Sequence, residues 1–328
     1  MTTTETLPKN FLVRRPSMDD ARDVYELISA CDIAEYGSPD LTEEELRSEW
    51  SSPTLNIETD VWIVLSPENQ VVGYAEVGHR EHTRIFIFTR VHPDYRNQGI
   101  GIYLLRLSEA RALQHIPEAP PDARVTLNHW TSSLNEEAQQ VLEQEGFTRI
   151  RTHWRMEIDM EQAPPAPEWP EGVTVRVFVA GQDDRIVFEM VDEAFRDHWG
   201  HLPGNFEEWQ HRTVKRESFD PTLWFLAFDG DKIAGGSLCA YYMDTAWVDT
   251  LAVLRPWRRK GLGMALLLHS FGEFYRRGTR TVCLGVDSQN LTGAVRLYLR
   301  AGMHVAREHH TYIKELRAGK ELSTQSIE

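Results

Sequence analysis

Arg258-Arg259-Lys260-Gly261-Leu262-Gly263 joins an apolar run, Leu251-Ala252-Val253-Leu254, to an amphipathic stretch from Met264 to Tyr275. The chemistry such a segment supports is the binding of a phosphate or pyrophosphate. The first N–H groups of a helix lack intrahelical partners, and the helix dipole adds partial positive charge at the same end. Glycine lets an anion approach the main chain closely. Arg258, Arg259 and Lys260 add full charges. Tyr95-Arg96-Asn97-Gln98-Gly99-Ile100-Gly101 is a second copy of the same device.

The elements that must hold these loops repeat as well. Gly99 and Gly261 are 162 residues apart (261 − 99), and so are Gly73 and Gly235, and Arg14 and Arg176. Gly146-Phe147 and Gly302-Met303 are 156 apart (302 − 146), so the second copy is shorter near its end. The repeat predicts two domains, 1–160 and 173–328, joined by a proline-rich, extended linker over 161–172. Each copy reads as strand, helix, helix, three strands, glycine loop with helix, strand, helix, strand. In the first, strands are expected at Phe11–Arg15, Val61–Leu65, Val71–Val77, Ile85–Val91, Arg124–Asn128 and Arg151–Asp159. The second is expected to close with a helix over Leu291–Arg300 and a strand over His309–Glu315, followed by a polar tail, Ala318–Glu328.

A length of 328 residues suits two domains. The net charge of −15 argues against a nucleic-acid or anionic-membrane partner and is compatible with an amine-bearing substrate. Cys31, Cys239 and Cys283 show no zinc spacing and suggest buried thiols in a reducing compartment. Met1–Asn10 lacks an apolar signal core, and no apolar run approaches the roughly 20 residues of a membrane span. A cytoplasmic protein is expected.

Strand, Arg-x-x-Gly-x-Gly, helix, strand, then Asn290-Leu291-Thr292-Gly293-Ala294-Val295-Arg296-Leu297-Tyr298 ending in Gly302-Met303 resembles the GNAT acetyltransferase superfamily. The resemblance covers nearly the whole chain in two copies, an arrangement similar to that of mycothiol synthase and related double-GNAT proteins. It implies an α/β fold with a mixed sheet, as two tandem GNAT domains, and acetyl-CoA or another acyl-CoA as donor. It also implies donor contacts from the backbone of Leu251, Ala252 and Val253, from the loop Arg258, Arg259, Lys260, Gly261, Leu262 and Gly263, and from Asn290 beside the pantetheine arm. The matching first-copy positions are Val91, Arg96, Asn97, Gln98, Gly99, Ile100 and Gly101, where a CoA-type ligand could also bind.

Acyl transfer from a thioester to an amine needs a neutral amine, donors for the oxyanion and a proton for the leaving thiolate. The family pattern places a tyrosine at Tyr298, which could give that proton. Asp249, near the end of the donor strand, is the candidate to orient or deprotonate the amine. Phe195, His198, Phe206 and Trp209 are candidates for the acceptor wall, and His198 could relay a proton. Leu142 stands where Tyr298 stands, and Arg84–Val91 lacks a carboxylate matching Asp249, so the first copy reads as silent or weak. His309-His310 has no metal spacing, and no metal is expected. The acceptor is read as a primary amine of a small molecule or peptide. The alternatives are a mycothiol-synthase-like enzyme acting on an amino-sugar conjugate, or an acyl-CoA-binding module without activity.

Overall fold

The structure, a computed structural model, describes residues 7–52, 54–216, 219–243, 245–290 and 292–325. Leu291, where the last helix is expected to start, and the ends of the chain (1–6, 326–328) lie outside the described residues. In chain order the elements are β1 (Leu12–Arg14), α1 (Ala21–Tyr36), α2 (Glu43–Trp50), α3 (Ile57–Asp60), β2 (Val61–Leu65), β3 (Val71–Arg80), β4 (Arg84–Val91), α4 (Ile100–Leu113), β5 (Val125–Ser132), α5 (Glu136–Gln144) and β6 (Thr148–Asp159). The second copy supplies β7 (Val173–Val177), α6 (Asp184–Phe195), α7 (Phe206–Arg212), β8 (Trp224–Asp229), β9 (Lys232–Tyr242), β10 (Thr245–Val253), α8 (Leu262–Arg276), β11 (Thr281–Asp287), α9 (Ala294–Arg300) and β12 (His304–Arg317).

The chain forms two compact units, residues 1–152 with 309–322, and residues 153–308 with 323–328. They do not coincide with the 1–160 and 173–328 split expected from the repeat. In unit 1 the strand order is β1-β2-β3-β4-β5-β12, where β12 lies antiparallel to β5 from His309 opposite Ser132 onward. In unit 2 the order is β7-β8-β9-β10-β11-β6, with Thr281 opposite Asp159 through Asp287 opposite His153. Each repeat therefore sends its closing strand into the unit built by the other. Sequence periodicity locates a strand but carries no information about which edge it will join.

Each sheet is buried on both faces by alternate residues. In unit 1, Trp62 and Val64 pack with Ile100 and Leu104 of α4, while Val61, Ile63 and Leu65 pack with Val24, Leu27 and Ile28 of α1. In unit 2, Phe225 and Ala227 face Leu266 and Phe271 of α8, and Trp224 and Leu226 face Val187 and Met190 of α6. The repeated arginines do the same job twice. Arg14 forks onto Asp20 and Arg176 onto Asp183, fastening the first strand of each unit to the helix start that follows. Residues 161–172 carry no helix or strand, and Trp169 packs on the α8 core beside His269. Cys31, Cys239 and Cys283 are buried free thiols. No helix of the described residues is long and apolar enough to cross a membrane.

Candidate active site

The parallel strands β10 and β11 pair at Ala246–Val282 and Trp247–Cys283. Beyond that point no pairing joins them, although β10 runs on to Val253 and β11 to Asp287. The main-chain groups of β10 that would have paired with β11 are thereby left without a strand partner there. A β-bulge at Asp249 interrupts the register between β9 and β10, with Val248 opposite Cys239 but Thr250 opposite Leu238. Bulges bend a strand and re-aim its side chains. The opening widens into a cleft of about 580 Å³ whose lining includes Leu251, Ala252, Val253, Gly261, Gly263 and Tyr298.

The loop before α8 has the geometry expected of an anion cradle. Gly261 is the N-cap of α8 at φ 89°, a left-handed conformation that favours glycine. Arg259 also has positive φ, 64°, and Asn97 repeats this at 60° in the other unit. The ladder of α8 begins only with the Ala265 N–H donating to the Gly261 carbonyl, which leaves the earlier amides without intrahelical acceptors.

The charges are distributed differently from the sequence expectation. Arg258 lines the cleft, but its guanidinium is already engaged by groups of the protein. Its Nε donates to the Val253 carbonyl at 3.0 Å, Nη1 to Asp197 at 2.6 Å and Nη2 to the Ala194 carbonyl at 2.9 Å. It ties the end of β10 to the end of α6. Asp197, buried, also accepts from Arg255, and this pairing holds its carboxyl down at about 2. Unit 1 has the same fastening, with Arg96 on Glu35 at 3.0 Å, and Glu35 and Asp197 again lie 162 apart (197 − 35). Among the described residues the cleft is also lined by the exposed Arg259 and by Arg296 and Arg300, one turn apart on α9, while Lys260 is exposed beside it and not part of the lining. Sequence reasoning missed Arg296, Arg300, Asp197 and Glu35; the repeat offset could have pointed to the acidic pair Glu35 and Asp197, but not to the two arginines.

Tyr298 lies on α9, 7% exposed, and lines the cleft. Its hydroxyl has no protein hydrogen-bond partner among the described residues, and burial alone pushes its pKa up to about 12. Asp249 is not part of the cleft lining. It follows Val248, which is buried in the α8 core, and points to the other face of β10, where it accepts a 2.8 Å hydrogen bond from Tyr242. Arg216 donates to the same Tyr242 hydroxyl at 3.2 Å. Asn290 sits at the mouth of α9, where its side-chain oxygen accepts from the Thr292 and Ala294 amides, capping the helix start. His198 and Phe195 line the cleft, and burial lowers the His198 pKa, which favours neutral imidazole. Phe206 and Trp209 do not join them, because they stack on each other and against Phe188 in the packing between α6 and α7.

The first-copy cradle departs from the expectation of a second CoA-type site. The Asn97 N–H donates to Glu137 Oε1 at 2.7 Å, so a carboxylate of the protein already occupies that amide. Glu35 Oε1 accepts from both Arg96 and Asn135. The cavity beside Val91, Gly101 and Leu142 measures about 70 Å³. The β3–β4 register runs without interruption from Gly73–Val91 to Arg80–Arg84, so no bulge matches the one at Asp249. Where unit 2 has Arg259, Lys260, Arg296 and Arg300, the positions 162 and 156 earlier are Asn97, Gln98, Gln140 and Gln144. All four are uncharged.

The acetyltransferase (GNAT) family model matches residues 21–150 and again 185–303. Mycothiol acetyltransferase of Saccharopolyspora erythraea is 28% identical over 246 residues, 73% of this chain and 80% of that protein. A GCN5-related N-acetyltransferase from Sphaerobacter thermophilus superposes with a TM-score of 0.83 at 39% identity, over 98% of this chain and 100% of that one. A tandem GNAT protein from the clavulanic acid biosynthesis pathway shares the fold at 15% identity, with a TM-score of 0.72 over 94% of this chain and all of that one. With one cradle-and-helix unit per match, the chain belongs to the GNAT acetyltransferase family and is a tandem N-acetyltransferase akin to the mycothiol acetyltransferases.

Proposed function

We propose that unit 2 alone transfers the acetyl group of acetyl-CoA to a primary amine, and that unit 1 is catalytically silent. The observation that carries this reading is Tyr298, a buried hydroxyl without a protein partner among the described residues in a cationic cleft, against Leu142 in a small cavity whose lining includes Glu137 and an arginine, Arg96, paired with Glu35. The amides of Arg259 to Met264 would hold the pyrophosphate, helped by Arg259, Lys260, Arg296 and Arg300, and the backbone of Leu251 to Val253 would hold the pantetheine. When bound, acetyl-CoA supplies the acyl group as a thioester.

The chain's own groups do the rest. Asp249, held by Tyr242, takes the amine proton from one face of β10. A β10 amide facing the opening donates to the developing oxyanion. Tyr298 holds a proton on the opposite side, toward the leaving sulfur.

The names of the relatives favour an amino-sugar conjugate of the mycothiol type as acceptor over a peptide amine. The test is a panel of amino sugars, amino-sugar conjugates, polyamines and peptide N-termini with acetyl-CoA, read by thiol release. Preference for the peptides would overturn that choice.

Two further results are expected. Calorimetry should give one CoA site per chain, unaffected by Gly99→Trp. The double change Arg296→Gln, Arg300→Gln should weaken it about 10-fold or more, with a shallower salt dependence. A second site abolished by Gly99→Trp would restore unit 1 as a CoA binder. Gly235→Ala should raise the KM for acetyl-CoA several-fold, because a Cβ there would lie 2.5 Å from the Ala252 carbonyl oxygen and push the donor strand. Unchanged kinetics would mean that β9 takes up the methyl instead.

A further inference from the structure

We propose that His79, His82 and His115 form a binding site in unit 1 for a divalent transition-metal ion of the zinc class. One ring nitrogen from each of the three lies within 4.8 Å of the others. His79 is near the end of β3, His82 is in the turn to β4, and His115 follows α4. The His82 and His115 Nδ1 atoms are 3.0 Å apart, and the His79 ring lies 3.9 Å from that of His82 and 4.6 Å from that of His115. Zinc–nitrogen bonds of about 2.0–2.1 Å put two ligands of a tetrahedral shell roughly 3.4 Å apart. The His82–His115 pair already stands near that spacing, and closing the shell around His79 needs a shift of up to about 1.4 Å (4.8 − 3.4).

Two features of the surroundings point to a ligand. The first is the turn itself. The Thr83 N–H donates to the Arg80 carbonyl, and both central residues are left-handed, Glu81 at φ 49° and His82 at φ 53°. Such a turn favours Asn-Gly. Here Glu-His occupies it, and the strained conformation brings the His82 ring to His115. The second is the burial of His115, whose Nδ1 meets His82; its Nε2, on the far side of the ring, has no hydrogen-bond partner among the described residues and is not the nitrogen that would ligate. His115 is 5% exposed, so no solvent shell compensates it.

The donor set selects the metal. Three imidazoles without a carboxylate suit zinc, copper or nickel and do not suit magnesium or calcium. The neighbouring Arg111 is neutralised by Asp60 at 2.7 Å. A bound ion would clamp the β3–β4 turn to the end of α4, and three protein ligands would leave a fourth position for water.

The test uses the full chain without a histidine tag, stripped with a chelator. Zinc titration by calorimetry should give one ion per chain, and cobalt should give the visible absorption of a tetrahedral site. Because His115 is buried, the informative variants are His79→Gln and His82→Gln, each expected to weaken zinc binding at least 10-fold. Zinc should raise the Tm of the wild type and leave that of His82→Gln unmoved. His304→Gln, at the start of β12, should bind as the wild type does. No saturable binding, or equal binding by His79→Gln and His82→Gln, overturns the proposal.

Discussion

Tyr298→Phe is expected to lower kcat for acetyl transfer about 100-fold or more while leaving the KM for acetyl-CoA and the Tm near their wild-type values. The ring packs in the α8 core beside Leu266 and Met303, and phenylalanine keeps that packing. The hydroxyl has no protein partner to lose among the described residues, so little stability is at stake. What disappears is the hydroxyl facing the cleft, the proposed proton donor. The sign of the pH dependence follows. A tyrosine pushed up to about 12 stays protonated throughout the neutral range, so Tyr298 puts no descending limb on the rate below about pH 10. The ascending limb belongs to the group that takes the amine proton, and Asp249→Asn should lower the rate without removing CoA binding. Full activity in Tyr298→Phe would remove the acid from this position.

Residues 173–328 expressed alone are expected not to fold, whereas residues 153–308 should. The 173–328 piece matches the sequence repeat but lacks β6. It therefore leaves β11 without the seven partners from His153 to Asp159. It also loses Met156 and Met160 from the α8 core, at 0% and 4% exposure. Two buried methionines contribute roughly 3–6 kcal/mol, a large part of the 5–15 kcal/mol that holds a typical domain. The exposed edge of β11 would in addition invite aggregation. Urea unfolding followed by circular dichroism separates the outcomes. A cooperative transition for 173–328 at the same midpoint as 153–308 would show that β6 is dispensable.

Much of the site was legible because its physics is local. A glycine that must take positive φ before a helix leaves its mark in the sequence, and Gly99 and Gly261 were both read from it. Tyr298 and Leu142 were legible because the repeat lines them up. Charge sharing was not. Arg258 reads as a phosphate ligand until its three hydrogen bonds to Val253, Asp197 and Ala194 are seen, and Arg296 and Arg300 look like ordinary helix surface until α9 is set beside the loop. The three histidines escaped notice for the same reason, since positions 79, 82 and 115 show no ligand spacing until the turn meets the end of α4.

The sequence by itself determined the number of repeats, the order of strands and helices in each apart from the short α3, and the two glycine cradles. These follow from periodicity and from backbone conformations that few residues can adopt. The tertiary structure decided which edge each closing strand joins, because a strand's two edges carry the same main-chain donors and acceptors and only packing chooses between them. It also decided that Glu137 takes the amide of Asn97 while the matching cradle stays open, because which anion fills a helix start depends on what the folded chain brings to it.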